Sequence, residues 1–187
     1  MKHLMVDIET LDTRPTAVIL SVAVLMFDPV TRAQEEMYSA NIDVSLQIMA
    51  EGRTMSIDTI TWWMQQGYDA RVKAFASPVC AHPRDAQETL ASIIKRPDID
   101  AIWANDPDFD CVILRDFMGY DFKWPFYKHR SMRTIKALFP LSWKLRKDGT
   151  EYGDFIAHDP MEDCKQQAWH VMNIYEREDL HSKTLPG

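Results

Sequence analysis

The sequence predicts one α/β domain with a central mixed β-sheet flanked by helices. Predicted strands come first along the chain and helices then alternate with a further strand, an order typical of this class. With 187 residues, 46% of them hydrophobic, the chain can bury one good core. No repeat, linker or low-complexity tract divides it, so we expect a single domain over residues 1–187.

Three strands are predicted in the N-terminal part of the chain, over His3 to Ile8, Ala17 to Phe27 and about Glu36 to Ile42. The second is the most apolar, reading AVILSVAVLMF, and Asp28-Pro29 marks the turn after it. The short connections indicate an antiparallel meander that the chain enters from its N-terminus.

Helical periodicity follows the third strand. Ser56 can cap a helix that ends at Gly67 and carries Ile57, Ile60, Trp63 and Met64 on one face. A second helix is expected from Pro83, with Ala86, Leu90, Ile93 and Ile94 pointing inward.

The C-terminal half contributes one strand and two further helices. The strand covers Asp100 to Ala104, and a helix through Val112, Leu114 and Phe117 follows it. The last helix is predicted from Pro160 to about Arg177.

The net charge of −7 disfavours a protein that coats nucleic acid nonspecifically, but the charge is unevenly spread. Between Phe122 and Lys147 there is no acid. This basic window contains eight cations: Lys123, Lys128, Arg130, Arg133, Lys136, Lys144, Arg146 and Lys147. Aromatic residues lie among them, as a groove for single-stranded nucleic acid requires. A solvated basic loop over a few core aromatics explains the window equally well.

Cysteine usage and hydropathy bear on location. The three cysteines are odd in number and form no C-x-x-C pattern, which is typical of a reduced, cytoplasmic protein. No apolar run is long enough to span a membrane, and Asp7 and Glu9 interrupt the N-terminal apolar stretch, so neither a membrane segment nor a signal peptide is expected.

Two acids lie in the first predicted strand, within MVDIET. Side chains two residues apart in a strand point to the same face, so Asp7 and Glu9 project together. Burying two like charges side by side is unfavourable unless a divalent cation lies between them. A solvated strand end is the alternative.

A second acidic stretch follows the Asp100–Ala104 strand and reads NDPDFDC. Asp106 or Asp108 can cap the next helix, and Phe109 can anchor in the core beside Asp110.

The third acidic stretch, HDPMED, opens the last helix. With Asp159 as N-cap, Pro160 occupies the first helical position and Glu162 the position of a capping box. His158 and Asp163 then occupy the two positions that usually hold a hydrophobic staple and that meet in space. A histidine beside a carboxylate that can bind metal suits general-base activation of water. An exposed histidine and an acid favoured by the helix dipole remain the alternative.

Taken together, these motifs resemble the DEDDh exonucleases of the RNase H-like superfamily. The similarity lies in DIET at residues 7–10, in Phe109-Asp110, and in His158 with Asp163. Three other stretches resemble a narrower group, the phage exonuclease A and mycobacterial RNase AS-like 3′–5′ exonucleases: TITWW at 59–63, Ala104 to Leu114, and HRSMRT at 129–134.

The resemblance implies a role for each site residue. Asp7, Glu9, Asp110 and Asp163 would hold two Mg²⁺ or Mn²⁺ ions, and His158 would deprotonate the attacking water. The expected reaction is 3′–5′ hydrolysis of single-stranded DNA or RNA to nucleoside 5′-monophosphates. Further residues are expected to contact the substrate: Thr10, Leu11, Trp62, Arg130 and Arg133. Trp62 fits the core equally well, and Asp108 is the alternative to Asp110 because this chain has one residue more than the commoner N-x-x-F-D spacing.

Other functions stay open at this level. One alternative is a catalytically silent nucleic-acid-binding module on the same fold, and another is an exoribonuclease restricted to RNA. A Cys–His hydrolase using Cys164 is disfavoured, because Cys164 falls on the apolar stripe of the last helix. The narrower group also suggests a homodimer.

Overall fold

A five-stranded mixed sheet forms the centre of the molecule. The computed structural model describes residues 1–77, 79–154 and 156–180, so residues 181–187 of the predicted domain lie outside it. The strand order is β3-β2-β1-β4-β5. The strands are β1 (His3–Thr10), β2 (Ile19–Phe27), β3 (Gln34–Asn41), β4 (Ala101–Ala104) and β5 (His129–Ser131). The first three pair antiparallel, as the predicted meander requires, and β4 and β5 extend the sheet in parallel.

Seven α-helices accompany the sheet in the described part of the chain. They are α1 (Val44–Glu51), α2 (Ile57–Gln65), α3 (Tyr68–Phe75), α4 (Pro83–Ile94), α5 (Asp110–Phe117), α6 (Met132–Leu138) and α7 (Pro160–Arg177), with a 3₁₀ turn at Phe126–Lys128. The sequence did not predict α1, α3, α6 or the short strand β5. None of the helices in the described ranges is both long and apolar enough to cross a membrane.

Alternation along β1 divides the core into two layers. Leu4, Val6 and Ile8 are buried against α4 and α5 on one face of the sheet. Met5, on the opposite face, belongs to a cluster formed with the apolar side of α7. Burial of each such side chain stabilises the fold by roughly 1.5–3 kcal/mol. The odd-numbered positions of β1, including those of the two acids, therefore face α7.

The end of β1 is irregular. Its pairing with β2 shifts register between Glu9 and Thr10. Beyond the shift, the carbonyl of Thr10 accepts a 2.9 Å hydrogen bond from the indole Nε1 of Trp63 on α2. Because β4 runs parallel to β1, the carboxyl ends of both strands meet at the same edge of the sheet. That edge is where β1 presents its acids and where α5 begins.

Helix α2 differs in part from its predicted form. Trp63 is buried as expected, but Ile57 and Met64 are 74% and 71% exposed, so the predicted apolar face is wrong at these two positions. Ser56 does occupy the N-cap, yet its side chain makes no capping hydrogen bond, and Gly67 caps α3 instead of ending α2.

Candidate active site

The two strand acids lie side by side beneath the start of α7. Asp7 and Glu9 are each only 8% exposed. Asp7 accepts a 2.9 Å hydrogen bond at Oδ1 from Nε2 of Gln167 on α7. Glu9 Oε1 lies 3.4 Å from Nδ1 of His158. Asp7 is thus held from α7 itself, and Glu9 from the segment that leads into α7.

A third carboxylate arrives with α5, which begins directly after the loop from β4. Asp110 is buried and is the first residue of that helix. Phe109 occupies the N-cap without a side-chain bond, so the predicted capping by Asp106 or Asp108 is wrong. Instead the main-chain carbonyl of Asp106 accepts the amides of Phe109 and Asp110. Asp108 is exposed, so of the two alternatives the structure brings Asp110 to the cluster.

The start of α7 follows the predicted capping in part. Asp159 accepts the amides of Met161 and Glu162 at 3.1 and 3.5 Å, which confirms it as the N-cap. Glu162 does not complete a capping box; it forms a 3.0 Å ion pair with Lys165. The other oxygen of Asp159 pairs with Lys73 of α3 at 3.0 Å.

His158 and Asp163 meet as the cap geometry predicts, but through the main chain. The amide of His158 donates a 2.8 Å hydrogen bond to Oδ2 of Asp163. His158 adopts a φ of 64°, a left-handed conformation uncommon for a residue with a side chain. The main-chain bond leaves the imidazole free to point at Glu9.

Two tryptophans pack against that imidazole. The ring of His158 lies 5.0 Å from Trp62 and 5.9 Å from Trp63, edge to face in both cases. Trp62 is 41% exposed, whereas Trp63 is 1% exposed. Of the two alternatives for Trp62, a core position and a place in the substrate site, its exposure and its place in the lining of the cavity favour the second.

One cavity of about 680 Å³ contains the whole arrangement. All five predicted catalytic residues line it, together with Thr10, Trp62 and Arg133 from the predicted substrate contacts. Leu11 does not line it, since its side chain is buried with Val18 and Leu20. Arg130 lines a neighbouring cavity of about 430 Å³, to which Arg133 also contributes.

Several other cavity residues were not singled out as site residues: Thr13, Asp58, Thr59, Asn105, Asp106 and Gln167. For Gln167 a signal existed in the sequence. It follows Asp163 by four residues, which places both on the same side of a helix, and it is polar within an otherwise apolar stripe.

The acids in this cavity resist ionisation. Burial, followed by the charges of Asp110, Glu9 and Asp163, raises the pKa of Asp7 well above its usual value. Burial also raises the pKa of Asp110 to about 7 and that of Asp163 to about 6. In the described part of the chain, no lysine or arginine forms an ion pair with Asp7, Glu9, Asp110 or Asp163.

At His158 the surroundings favour the charged form, whereas at the acids they favour the neutral form. The hydrogen bond to Glu9 raises the pKa of His158, because the charged imidazolium is favoured beside a carboxylate. Burial raises the pKa of Glu9, while His158 lowers it. The pair with His158 thus neutralises only a small part of the negative charge.

The donor set suits a divalent cation. Ligand atoms of Glu9, His158 and Asp163 lie within 4.8 Å of one another, and Asp7 of β1 and Asp110 of α5 line the same cavity. Carboxylate oxygens are the ligands that hard divalent cations prefer, and mutually repelling buried acids are stabilised by such a charge.

Four cations of the basic window lie at two different places. Arg133 lines the cavity of the acids and pairs with Asp106 at 3.4 Å, and Arg130 lines the neighbouring cavity. In contrast, Lys136 and Lys144 lie over the ring of Trp143, which packs on His170 of α7. Of these four cations, Arg133 alone lines the candidate site.

Residues 2–175, nearly the whole chain, match the family profile described as the 3′–5′ exoribonuclease Rv2179c-like domain. The exodeoxyribonuclease of Enterobacteria phage T4 is 28% identical over 194 residues, with 88% of this chain and 85% of that protein covered.

Two solved structures show the same fold. E. coli Exonuclease I in complex with a dT13 oligonucleotide matches with a TM-score of 0.68 at 15% identity, over 97% of this chain and 42% of that one. The zinc-bound form of the E. coli Exonuclease I–ssDNA complex matches with a TM-score of 0.68 at 14% identity, over 95% and 41%. The chain thus spans less than half the length of these structures. The predicted RNase H-like exonuclease fold is confirmed.

Proposed function

The chain belongs to the 3′–5′ exoribonuclease Rv2179c-like family, in agreement with the resemblance to DEDDh 3′–5′ exonucleases, and on that premise we propose that it hydrolyses single-stranded DNA or RNA from the 3′ end. The observation that carries the proposal is the single cavity that gathers Asp7, Glu9, Asp110, Asp163 and His158. Each step shortens the strand by one nucleoside 5′-monophosphate.

Exonucleases of this family generally use divalent metal ions. We propose that this chain takes two Mg²⁺ or Mn²⁺ ions, held by Asp7, Glu9, Asp110 and Asp163. When bound, such ions supply Lewis-acid activation of water and stabilise charge on the leaving oxygen. The raised pKa values of Asp7 and Asp110 support this assignment, because buried acids of one sign need a compensating cation.

The residues of the chain perform the proton transfer and the positioning. His158 would take a proton from water as the water oxygen attacks the terminal phosphorus. The bond from phosphorus to the 3′-oxygen breaks, and that oxygen receives a proton from solvent to become the new 3′-hydroxyl. The rings of Trp62 and Trp63 limit the orientations open to the imidazole, which fixes it for this transfer.

Substrate contacts are proposed where the structure brings the predicted residues to the cavity. Thr10 and Trp62 lie close to the acids and suit contacts to the terminal nucleotide, with the exposed indole available for base stacking. Arg133 and Arg130 suit phosphates further along the strand. Leu11 keeps at most a supporting role, because its side chain is buried away from the cavity.

Digestion of end-labelled single strands tests the proposal. Single-stranded RNA and DNA of the same sequence are incubated with Mg²⁺, Mn²⁺ or EDTA, using the wild type, Asp163→Ala and Glu162→Ala. We expect stepwise shortening from the 3′ end that needs metal and Asp163. Glu162→Ala is the matched control, since it removes the adjacent acid, which does not line the cavity.

The outcomes separate the candidate functions. Activity that persists in EDTA or in Asp163→Ala contradicts the metal mechanism, and internal cuts contradict the exonuclease assignment. Shortening of RNA alone would identify the RNA-restricted exoribonuclease, which the family description favours. Binding without cleavage under every metal condition would identify the silent binding module.

The oligomeric state, the domain extent and the location are further proposals. We propose a homodimer of a single exonuclease domain covering residues 1–187. Support for the dimer comes from large apolar side chains exposed on α2 and α3, namely Ile57, Met64 and Tyr68. Light scattering that gives a monomer mass at all concentrations would contradict it.

The three free cysteines support a reduced, cytoplasmic setting, which cell fractionation tests.

A further inference from the structure

A buried amide on α7 has no place in the mechanism above. Gln167 lies one helical turn after Asp163 and is 7% exposed, yet it lines the cavity of the acids. Most of the other buried residues of α7 are apolar, including Cys164, Ala168 and Val171. A leucine or methionine would fill this position without the cost of desolvating an amide.

The contacts of the amide are one-sided. Nε2 of Gln167 donates a 2.9 Å hydrogen bond to Oδ1 of Asp7, from a helix to the strand beneath it. The amide oxygen Oε1 is buried and accepts no hydrogen bond from the described residues. A buried amide with a purely structural role would normally form hydrogen bonds through both its nitrogen and its oxygen. The hydrogen bond to Asp7 is therefore the contact that accounts for an amide at this position.

We propose that Gln167 is a positioning residue for the exonuclease centre, which orients the carboxylate of Asp7 by occupying Oδ1 and leaving Oδ2 for a bound divalent cation. The inference rests on the proposed function, since it assigns Asp7 to metal. Groups that hold a ligand by its second oxygen typically change metal affinity by about 10- to 100-fold when removed. In this scheme Gln167 contacts neither the nucleic-acid substrate nor the attacking water, and it acts through Asp7 alone.

Two neighbouring glutamines allow a matched test. Gln167→Met removes the amide and keeps a chain of similar length, and Gln166→Met makes the same change one residue away, on a side chain that does not line the cavity. Mn²⁺ dissociation constants are measured by titration calorimetry, and kcat and KM are measured with single-stranded substrate. Thermal unfolding in EDTA reports on folding.

We expect Gln167→Met to weaken Mn²⁺ binding by about 10-fold or more and to lower kcat at limiting metal, with the KM for the strand little changed. Its unfolding temperature without metal should equal or exceed that of the wild type, because an apolar side chain replaces an unpaired buried oxygen. Gln166→Met should behave as the wild type in all three measurements. Gln167→Leu takes the place of Gln167→Met should the latter fail to fold.

Unchanged Mn²⁺ affinity and unchanged kcat in Gln167→Met overturn the inference while leaving the exonuclease intact. Equal losses in Gln166→Met and Gln167→Met also overturn it, since the effect would then belong to the helix. An inactive wild type that binds Mn²⁺ overturns the proposed function, and the comparison of Mn²⁺ affinities still decides the role of Gln167.

Discussion

Helix α7 buries ionisable groups at two places, and they behave differently. At its first turn, Asp163 joins Asp7, Glu9 and Asp110 around one cavity. Near its middle, His170 is 6% exposed and lies edge to face with Trp143 and Trp169, at 4.8 and 5.6 Å between ring centroids. Both regions are buried, but only the first gathers several groups of one sign.

Burial favours the neutral form in both regions, with unequal consequences. It lowers the pKa of His170 to about 3, so this imidazole is neutral at physiological pH and packs as an aromatic ring. The acids cannot all be ionised without strong mutual repulsion, because each ionised carboxylate raises the pKa of the next. The first region therefore points to function, because it gathers several carboxylates in one cavity, whereas His170 lies between two indole rings and contributes to packing.

The sharpest test of this contrast replaces one acid that lines the cavity and, in a separate variant, one nearby acid that does not. Asp110→Asn should lower kcat on single-stranded substrate by about 10³-fold or more, since metal assistance supplies several kcal/mol. Asp108→Asn should stay near wild type, because Asp108 is exposed and does not line the cavity of the acids. Steady-state kinetics with saturating Mg²⁺ measures both, and a reversed pattern would transfer the ligand role to Asp108.

His158 should contribute less than the acids. His158→Asn keeps a residue that tolerates a positive φ, and it should lower kcat by about 10²- to 10⁴-fold, the usual range for a general base. Mn²⁺ binding should persist, as calorimetry would show. His82→Asn is the control, since His82 lies outside both cavities and asparagine also suits its N-cap position. Loss of Mn²⁺ binding in His158→Asn would make the histidine a ligand instead of a base.

The cluster should destabilise the protein when metal is removed. Because the pKa values of Asp7 and Asp110 are raised in the folded state, folding binds protons, so stability in EDTA should increase as the pH falls from about 8 to about 6. In EDTA at about pH 8, the Tm of Asp7→Asn should lie a few degrees above that of the wild type. A change of about 1 kcal/mol shifts the Tm of such a domain by roughly 2–4 °C.

A surface acid provides the contrast for that measurement. Ion pairs with Arg96 and Lys2 hold the pKa of Asp98 below its usual range, so Asp98→Asn should leave the Tm unchanged or lower it. Saturating Mg²⁺ should reverse the order of wild type and Asp7→Asn. A wild type that is already more stable than Asp7→Asn in EDTA would show that the acids do not repel one another.

The smallest effect is expected at His170. The folded-state pKa of His170 is lowered, so folding releases a proton and this residue opposes stability as the pH falls below about 6.5. Lys136 adds to the shift with its positive charge. His170→Phe should keep the aromatic packing. Between about pH 6 and about pH 4.5, its Tm should fall less than the Tm of the wild type. Parallel Tm curves for the two proteins would assign the acid sensitivity elsewhere.

The features predicted well from the sequence are those set by local geometry. Alternation in a strand places Asp7 and Glu9 on one face, and the N-cap at Asp159 brings His158 to Asp163. Both patterns depend on neighbours within six residues. Asp110 was harder to predict, because both Asp108 and Asp110 fitted the spacing after Asn105. The burial at the start of α5 is what separates the two acids.

The remaining features depend on tertiary contacts. Helices α1, α3 and α6 have eight or fewer residues, so tertiary packing decides them: α1 and α3 pack in the cluster around Trp63, and α6 packs in the cluster of α7. The exposure of Ile57 follows from the same cause, since α2 contacts the fold mainly through Trp63. The direction of the His158 ring toward Glu9 requires the folded β1, which lies far away in the sequence.

The register shift after Glu9 also determines where this fold can change in length. Before the shift, inserting or deleting one residue in β1 would turn Asp7 and Glu9 to the face covered by α4 and α5. After it, the loop between Thr10 and Ile19 lies outside the regular pairing, and added residues there leave the acids in place. Relatives of this protein should therefore vary in length after Thr10 and keep a constant count of residues between the start of β1 and Glu9.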